Sequence, residues 1–310
     1  MREIAVFGGI SHPALTAEIC AHLDVPQRPV LLKRFANDCL EVQLQSNCRE
    51  RDVFIIQSLV RPVQEHLIEL LLMADAARGA SAARVTAVIP HYAYARSDKK
   101  DAPRISIGGR LIADLLVTAG VNRVLTLNLH SPQVHGFFSV PVDHLHALRE
   151  LASHFRQRDL SNAVVVSPDL GYAKSAAAFA RRLGLPVAAG AKERISDAEV
   201  HITAIIGDVA GRDVIVLDDE ISRGTTVFEL LDRLRDEGAR SVAVACTHGL
   251  FADNALDKLA GTADVTEIVC TNSAPIHAEH PKLTVLSVGP ALAEAISRIH
   301  NGESVSALFD

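Results

Sequence analysis

Val214-Ile215-Val216-Leu217-Asp218-Asp219-Glu220-Ile221-Ser222-Arg223-Gly224-Thr225-Thr226 is the stretch from which the fold can be read. Its first four residues, entered from Asp213, are branched or apolar and predict a buried strand. Two acids follow at once, then a short loop closing on Gly-Thr-Thr. Beyond the loop, Val227 opens a segment with helical apolar spacing that stops at Gly238. This order of strand, acidic pair, small-residue loop and helix suits a sugar phosphate. Backbone N–H groups of the loop and the helix N-terminus attract the phosphate, while carboxylates accept hydrogen bonds from ribose hydroxyls or reach them through a divalent cation. The plainer alternative is a strand-end acidic pair that only caps a turn.

Outward from that stretch the same rhythm repeats. Residues 2–8, 52–59, 84–92 and 123–130 have strand character, and helical patterns follow at 13–23, 62–80 and 105–120. Two further strand-like runs, 30–35 and 40–45, flank Ala36-Asn37-Asp38-Cys39. A second series of strands and helices begins near residue 146, with a polar segment from Lys192 to Glu199 between two of its strands, and a final helix at 290–302 returns to cover a sheet. Alternating apolar strands and helices predict an α/β fold: two similar domains, 1–145 and 146–310, each with a mainly parallel sheet flanked by helices. The last helix is expected to pack back on the first domain.

Composition narrows the function classes. A chain of 310 residues accommodates two domains, and 48% apolar residues without Trp imply cores of Val, Leu, Ile and Ala. A net charge of −6 provides no global basic field, so nucleic acid is not an expected partner. The five cysteines are widely spaced with no CxxC pair, which fits a reduced, cytoplasmic setting better than a disulfide framework or structural zinc. No apolar run reaches the length of a membrane span.

Four other strings carry chemistry. Tyr94-Ala95-Arg96-Ser97-Asp98-Lys99-Lys100 follows a strand and is either a solvated charge run or an anion-binding strand-end loop. Residues 127–145 contain His130, His135 and His144, with His146 just beyond. Their spacing is not that of a zinc HxxxH pair, and most of them read as loop or surface residues. Asp169 closes a strand in VVVSPDLGY and by itself is a respectable helix cap. Lys192-Glu193-Arg194 on a loop carries no meaning alone.

Together these strings resemble the ribose-phosphate pyrophosphokinases (PRPP synthetases), over nearly the whole chain. LHSPQVHGFFSVPVDHL, beginning at Leu129, is the most specific match, to LHxxQxxGFFxxPVDxL, and the loop at Asp218 is shared with type I phosphoribosyltransferases. The resemblance implies diphosphate transfer from MgATP to the 1-hydroxyl of ribose 5-phosphate, giving PRPP and AMP. It implies that Arg96 and Ser97 bind ATP, that His130 lies beside the ATP phosphates and their magnesium, and that Asp169 helps hold that Mg²⁺. Lys192 and Arg194 match a catalytic Lys-x-Arg pair, with His130 as a third catalytic candidate. Asp218, Asp219, Ser222, Arg223, Gly224, Thr225 and Thr226 would hold ribose 5-phosphate. It also implies a homo-oligomer, a hexamer or a dimer. No string identifies a strong general base.

Two stretches depart from the family pattern. FxDGE, an adenine-contacting hairpin supplied by a neighbouring subunit, is here Phe35-Ala36-Asn37-Asp38-Cys39, leaving Phe35 and Asn37 as the base-contact candidates. DDxIDTxGT has become DDEISRGTT, with Ser222 and Arg223 replacing Asp and Thr, and Tyr172 stands where the family usually has Gly. These changes keep two rivals open: a non-catalytic regulatory relative, and a PRPP-consuming phosphoribosyltransferase. The latter leaves the 127–145 string unexplained.

Overall fold

The computed structural model describes residues 3–194 and 200–308, without the side chains of 192–194 and 200. The chain divides into two compact units. One comprises Met1–His146, Ser273–Pro275 and Val288–Asp310; the other comprises Ala147–Asn272 and Ile276–Ser287.

The first unit begins with β1 (Ile4–Gly8), α1 (Pro13–Leu23), β2 (Gln27–Arg28), β3 (Val30–Arg34), β4 (Leu40–Leu44) and β5 (Asp52–Ile56). It continues with α2 (Val63–Gly79), β6 (Arg84–Ile89), α3 (Gly108–Ala119), β7 (Arg123–Leu127) and β8 (Val142–Leu145). Six strands form one sheet in the order β2-β1-β5-β6-β7-β8, and every pairing is parallel. Strand alternation sorts its residues between two faces. Ala5, Phe7, Val53, Ile55, Ala87 and Ile89 share a core with Leu70 and Met73 of α2 and Leu116 of α3. The intervening Val6, Phe54 and Ile56 are equally buried, which is why β5 reads as an unbroken apolar run. β3 and β4 do not join this sheet; they form a separate antiparallel hairpin, because a short polar turn lets neighbouring strands pair directly.

The second unit contains α4 (Leu148–Phe155), β9 (Ala163–Ser167), α5 (Ala173–Leu183), β10 (Val187–Arg194), β11 (Val200–Ile206), β12 (Asp213–Ile221) and α6 (Thr225–Asp236). β13 (Ser241–Gly249), α7 (Ala255–Gly261), β14 (Val265–Thr271) and β15 (Leu283–Leu286) complete it. The sheet order is β11-β10-β9-β12-β13-β14-β15, parallel except for β10 with β11. The two faces again alternate. Val164, Val166, Val214, Val216, Val242 and Val244 pack with Leu230 and Leu234 of α6 and Leu259 of α7. Val165, Ile215, Leu217, Ala243 and Ala245 pack with Phe155 of α4 and Phe179 of α5.

The last helix, α8 (Gly289–Asn301), belongs to the first unit and contacts α1. Asp52, 2% exposed, anchors it. Arg84 Nε donates to Asp52 Oδ1 at 2.8 Å, and the same guanidinium donates to the Ile299 carbonyl at 2.9 Å. His300 Nδ1 lies 2.9 Å from Asp52 Oδ2. Breaking a buried ion pair from one side leaves a charge without its counter-ion and is strongly destabilising. Asp52→Asn is therefore expected to cost about 3 kcal/mol of stability, read as a lower urea midpoint at unchanged slope.

Candidate functional site

In a parallel sheet every strand presents its carboxyl end at one edge, where loops lead to helix N-termini and ligands bind. In the second unit that edge is formed by β9, β12 and β13. β12 runs beside β13 with Asp218 opposite Cys246, and beside β9 with Val216 opposite Val166, so Asp169 leaves β9 at the level where the acidic pair leaves the sheet core.

Asp219 is 4% exposed, and its N–H donates to Asp218 Oδ1 at 2.9 Å. Burial, reinforced by the charge of Asp219 and more weakly by that of Asp169, raises the Asp218 carboxyl well above the usual carboxylate range. A buried acidic pair favours any partner that relieves this repulsion, either a diol that donates two hydrogen bonds or a cation. Asp169 also works within its own chain segment, as its Oδ1 accepts the Tyr172 N–H at 3.0 Å. That bond lies in the turn ahead of α5, whose N-cap is Tyr172 and which has no side-chain cap. Tyr172 packs its ring on the α4–α5 core, with its hydroxyl buried. Burial first, then the charges of Asp219 and Asp218, keep that phenol neutral, with Ser175 opposing weakly.

The chain then turns into α6 through Ser222, Arg223 and Gly224. Gly224 is the N-cap at φ 75°, in the left-handed region that suits glycine. α6 has no side-chain cap and no acid in its first turn, so the N–H groups around Thr225 and Thr226 keep their attraction for an anion. Arg223 pairs with Asp253, Nε to Oδ2 at 2.7 Å.

Lys192 and Arg194 differ from the loop expectation. Their backbone lies in β10, which pairs with β9 only as far as Ala189 and then continues as an antiparallel hairpin with β11. The ladder shifts register between Ala191 and Lys192, as a β-bulge does. Hairpin pairing satisfies the backbone of this polar segment, which is why a strand forms without apolar alternation. The side chains of Lys192 and Arg194 lie outside the described residues.

In the first unit the corresponding edge carries the loops after β6 and β7. Both Arg96 and His130 are exposed. Their loops are joined, because Ser131 Oγ donates to Asp98 Oδ2 at 2.6 Å. Ser97 faces inward to the start of α3, its Oγ accepting the Gly108 N–H at 2.8 Å, so its hydroxyl already serves the loop. His144 is not a surface histidine: it lies half-buried in β8, and its Nε2 accepts the Leu129 N–H at 2.8 Å, fixing the residue before His130. Phe35 and Asn37 occupy the tip of the β3–β4 hairpin. Phe35 is 39% exposed with Lys33 Nζ 4.7 Å from its ring centroid, and Asn37 Oδ1 accepts the Cys39 N–H at 3.3 Å.

Asp98, His144 and Asp253 are the supporting residues that sequence reasoning did not select. Asp98 and His144 fall inside motif strings already quoted, whereas Asp253 pairs with a residue thirty positions away and has no local signature. Among the described residues no group of three His, Cys, Asp or Glu side chains could hold a metal ion, and no helix is long and apolar enough to cross a membrane. All five cysteines are free thiols.

A carboxyl whose folded pKa stands above its unfolded value favours the folded chain while protonated and costs stability as pH rises through the folded value. Asp218→Asn removes that cost. Without ligand it is expected to melt above the native chain at about pH 8, with the gap closing as pH falls towards about 4.

Two family profiles match the chain. Residues 4–120 match the profile described as the N-terminal domain of ribose phosphate pyrophosphokinase, and residues 191–310 match the phosphoribosyl synthetase-associated domain. A Streptomyces coelicolor protein, provisionally assigned as a ribose-phosphate pyrophosphokinase, is 71% identical over all of this chain and 98% of its own. The ribose-phosphate pyrophosphokinase of Deinococcus radiodurans is 49% identical over 99% of this chain and 98% of its own. The crystal structure of phosphoribosylpyrophosphate synthetase from Mycobacterium smegmatis superposes with a TM-score of 0.91 at 37% identity, covering 97% of this chain and all of that one.

Proposed function

The chain belongs to the ribose-phosphate pyrophosphokinase family, and from that premise we propose how its own residues carry out the reaction. The 1-hydroxyl oxygen of ribose 5-phosphate bonds to the β-phosphorus of ATP and gives up its proton to solvent, the bond from that phosphorus to the α–β bridging oxygen breaks, and PRPP and AMP leave. The observation that carries the reading is the Asp218–Asp219 pair near the end of β12, half-buried and buried in turn, with the uncapped start of α6 a few residues on. It offers acceptors for a diol and donors for a phosphate within one strand–turn–helix segment.

Asp218 and Asp219 take the ribose hydroxyls, and Ser222 to Thr226 take the 5′-phosphate. Arg96 and His130 orient the triphosphate, their loops held by the Ser131–Asp98 bond and by His144. Ser97 supports that loop through α3. Lys192 and Arg194 stabilise the negative charge that shifts between attacking and leaving oxygens, the main demand of such a transfer. Arg forks across two oxygens, whereas Lys acts as a point charge.

Asp169 and His130 would hold the Mg²⁺ of MgATP, which would supply charge neutralisation on the phosphates. Such an ion would need only one or two protein carboxylates. That fits a site where Asp169 adds to the repulsion felt by Asp218 but no three-residue cluster stands among the described residues. His130 stands beside those phosphates.

Phe35 and Asn37 are proposed as base contacts. With Cys39 where the family has an acid, nucleotide choice rests on stacking and on the Asn37 amide, whose carbonyl oxygen is already engaged by its own turn. Leu31 and Phe35 leave apolar surface exposed on the hairpin, which supports burial against another copy and hence a cytoplasmic homo-oligomer, a hexamer or a dimer.

Purified chain with ATP, Mg²⁺ and ribose 5-phosphate is expected to yield AMP and PRPP in equal amounts; binding without turnover would identify a regulatory relative instead. Lys192→Ala is expected to lower kcat by about 10²-fold or more with little change in the KM for either substrate. Arg223→Ala is expected to raise the KM for ribose 5-phosphate, and an unchanged KM would remove Arg223 from the phosphate loop.

A further inference from the structure

The cation contributed by the loop after β12 is already engaged. Arg223 Nε donates to Asp253 Oδ2 at 2.7 Å, and the two side chains are 72% and 51% exposed. An exposed pair of this kind is worth little, because water and salt screen it and two long side chains must be ordered to make it.

Asp253 is held more firmly than its partner. It sits in a turn where Phe251, Asp253 and Asn254 adopt φ of 41°, 55° and 61°, a left-handed run that the surroundings must enforce. That turn is tied to the strand end: the N–H groups of Leu250 and Phe251 donate to the Ile221 carbonyl at 2.9 and 3.0 Å, and that of Ala252 donates to Ser222 at 3.0 Å. Three backbone hydrogen bonds therefore fix the carboxylate relative to the loop, while the guanidinium is free to leave at small cost. Arg223, Asp253 and Thr225 line one open cavity of about 790 Å³ that Lys258 also borders.

We propose that Asp253 is a positioning residue that competes with the 5′-phosphate of the sugar for Arg223. In the ligand-free chain the carboxylate parks the guanidinium beside the start of α6. A phosphate dianion, carrying more charge and able to accept two parallel hydrogen bonds from Arg, displaces it. The competition holds affinity for the sugar phosphate below what the loop alone would give. The inference rests on the assignment of Arg223 to the phosphate loop made above.

Asp253→Asn tests it cleanly. Asn is nearly isosteric, accepts the left-handed conformation as readily as Asp, and removes the charge. The KM for ribose 5-phosphate, and its Kd by calorimetry without ATP, are expected to fall about two- to fivefold, the range of an exposed pair. Asp253→Gly, which also tolerates the turn, is expected to move both constants in the same direction. The doubly substituted Arg223→Ala/Asp253→Asn chain is expected to match Arg223→Ala alone.

Unchanged or weakened sugar-phosphate binding in Asp253→Asn overturns the inference. So does an equal gain in the Arg223→Ala background, because Asp253 would then repel phosphate without acting through Arg223. If the native chain shows no calorimetric binding of ribose 5-phosphate, the functional reading fails and the inference fails with it. If the native chain binds and only the Asp253 variants are silent, the inference alone fails.

Discussion

Two adjacent carboxylates at the end of a buried strand are the costly feature of this molecule, and much of the second unit can be understood as holding them there. β12 lies in the interior of its sheet, between β9 and β13, and both of its faces are covered by valine- and leucine-rich layers. A strand so pinned cannot slip in register, since a shift of one residue would exchange its two buried faces. Asp219 is thereby kept out of solvent although its charge disfavours burial. The raised Asp218 carboxyl is the visible consequence of that enforced closeness. On the proposed function this local loss of stability puts acceptors in place before the sugar arrives, the pattern expected where binding depends on preorganisation.

The first unit solves a different problem, the steadying of exposed loop residues. Arg96 and His130 are exposed on loops, where long side chains would wander if the backbone did. Their neighbours restrain it. Ser97 bonds to the first turn of α3, Asp98 to Ser131, and His144 to the N–H of Leu129. Polar residues flanking Arg96 and His130 thus bond to the scaffold, which leaves each of these side chains at the end of a short, fixed stem. A charge run that might have been only a solvated face is in this way a built loop.

How much of this was legible follows from the range of the interactions. The buried strands were, because Val, Ile and Leu in runs of four or five need no knowledge of distant residues. So was the turn from β12 into α6, whose strand, acids, glycine and helix are contiguous. The β10–β11 hairpin was not: its outer half is polar, and it is held by cross-strand backbone bonds that leave no trace in composition. The separate β3–β4 hairpin was seen as two strands, but its exclusion from the main sheet depends on pairing partners. His144 was not singled out for a related reason, since a histidine bonded to a backbone N–H fifteen residues away looks like any other. Asp253 had no signal at all.

Arg–Asp pairs recur in this chain, and burial decides what each can do. At Asp52 the carboxylate is 2% exposed and is contacted by Arg84 and His300, joining β5 and β6 to α8. Neither charge there can leave without stranding the other in a poor solvent, so the pair behaves as a fixed joint between segments that are distant in sequence. At Arg223 the same two functional groups meet in water, where each is nearly as well solvated apart as together. Such a contact contributes little to folding, and for that reason it can be exchanged for a ligand. A guanidinium placed at the mouth of a phosphate loop must be ordered enough to be found and weakly enough held to be taken, and an exposed carboxylate on a rigid turn meets both conditions.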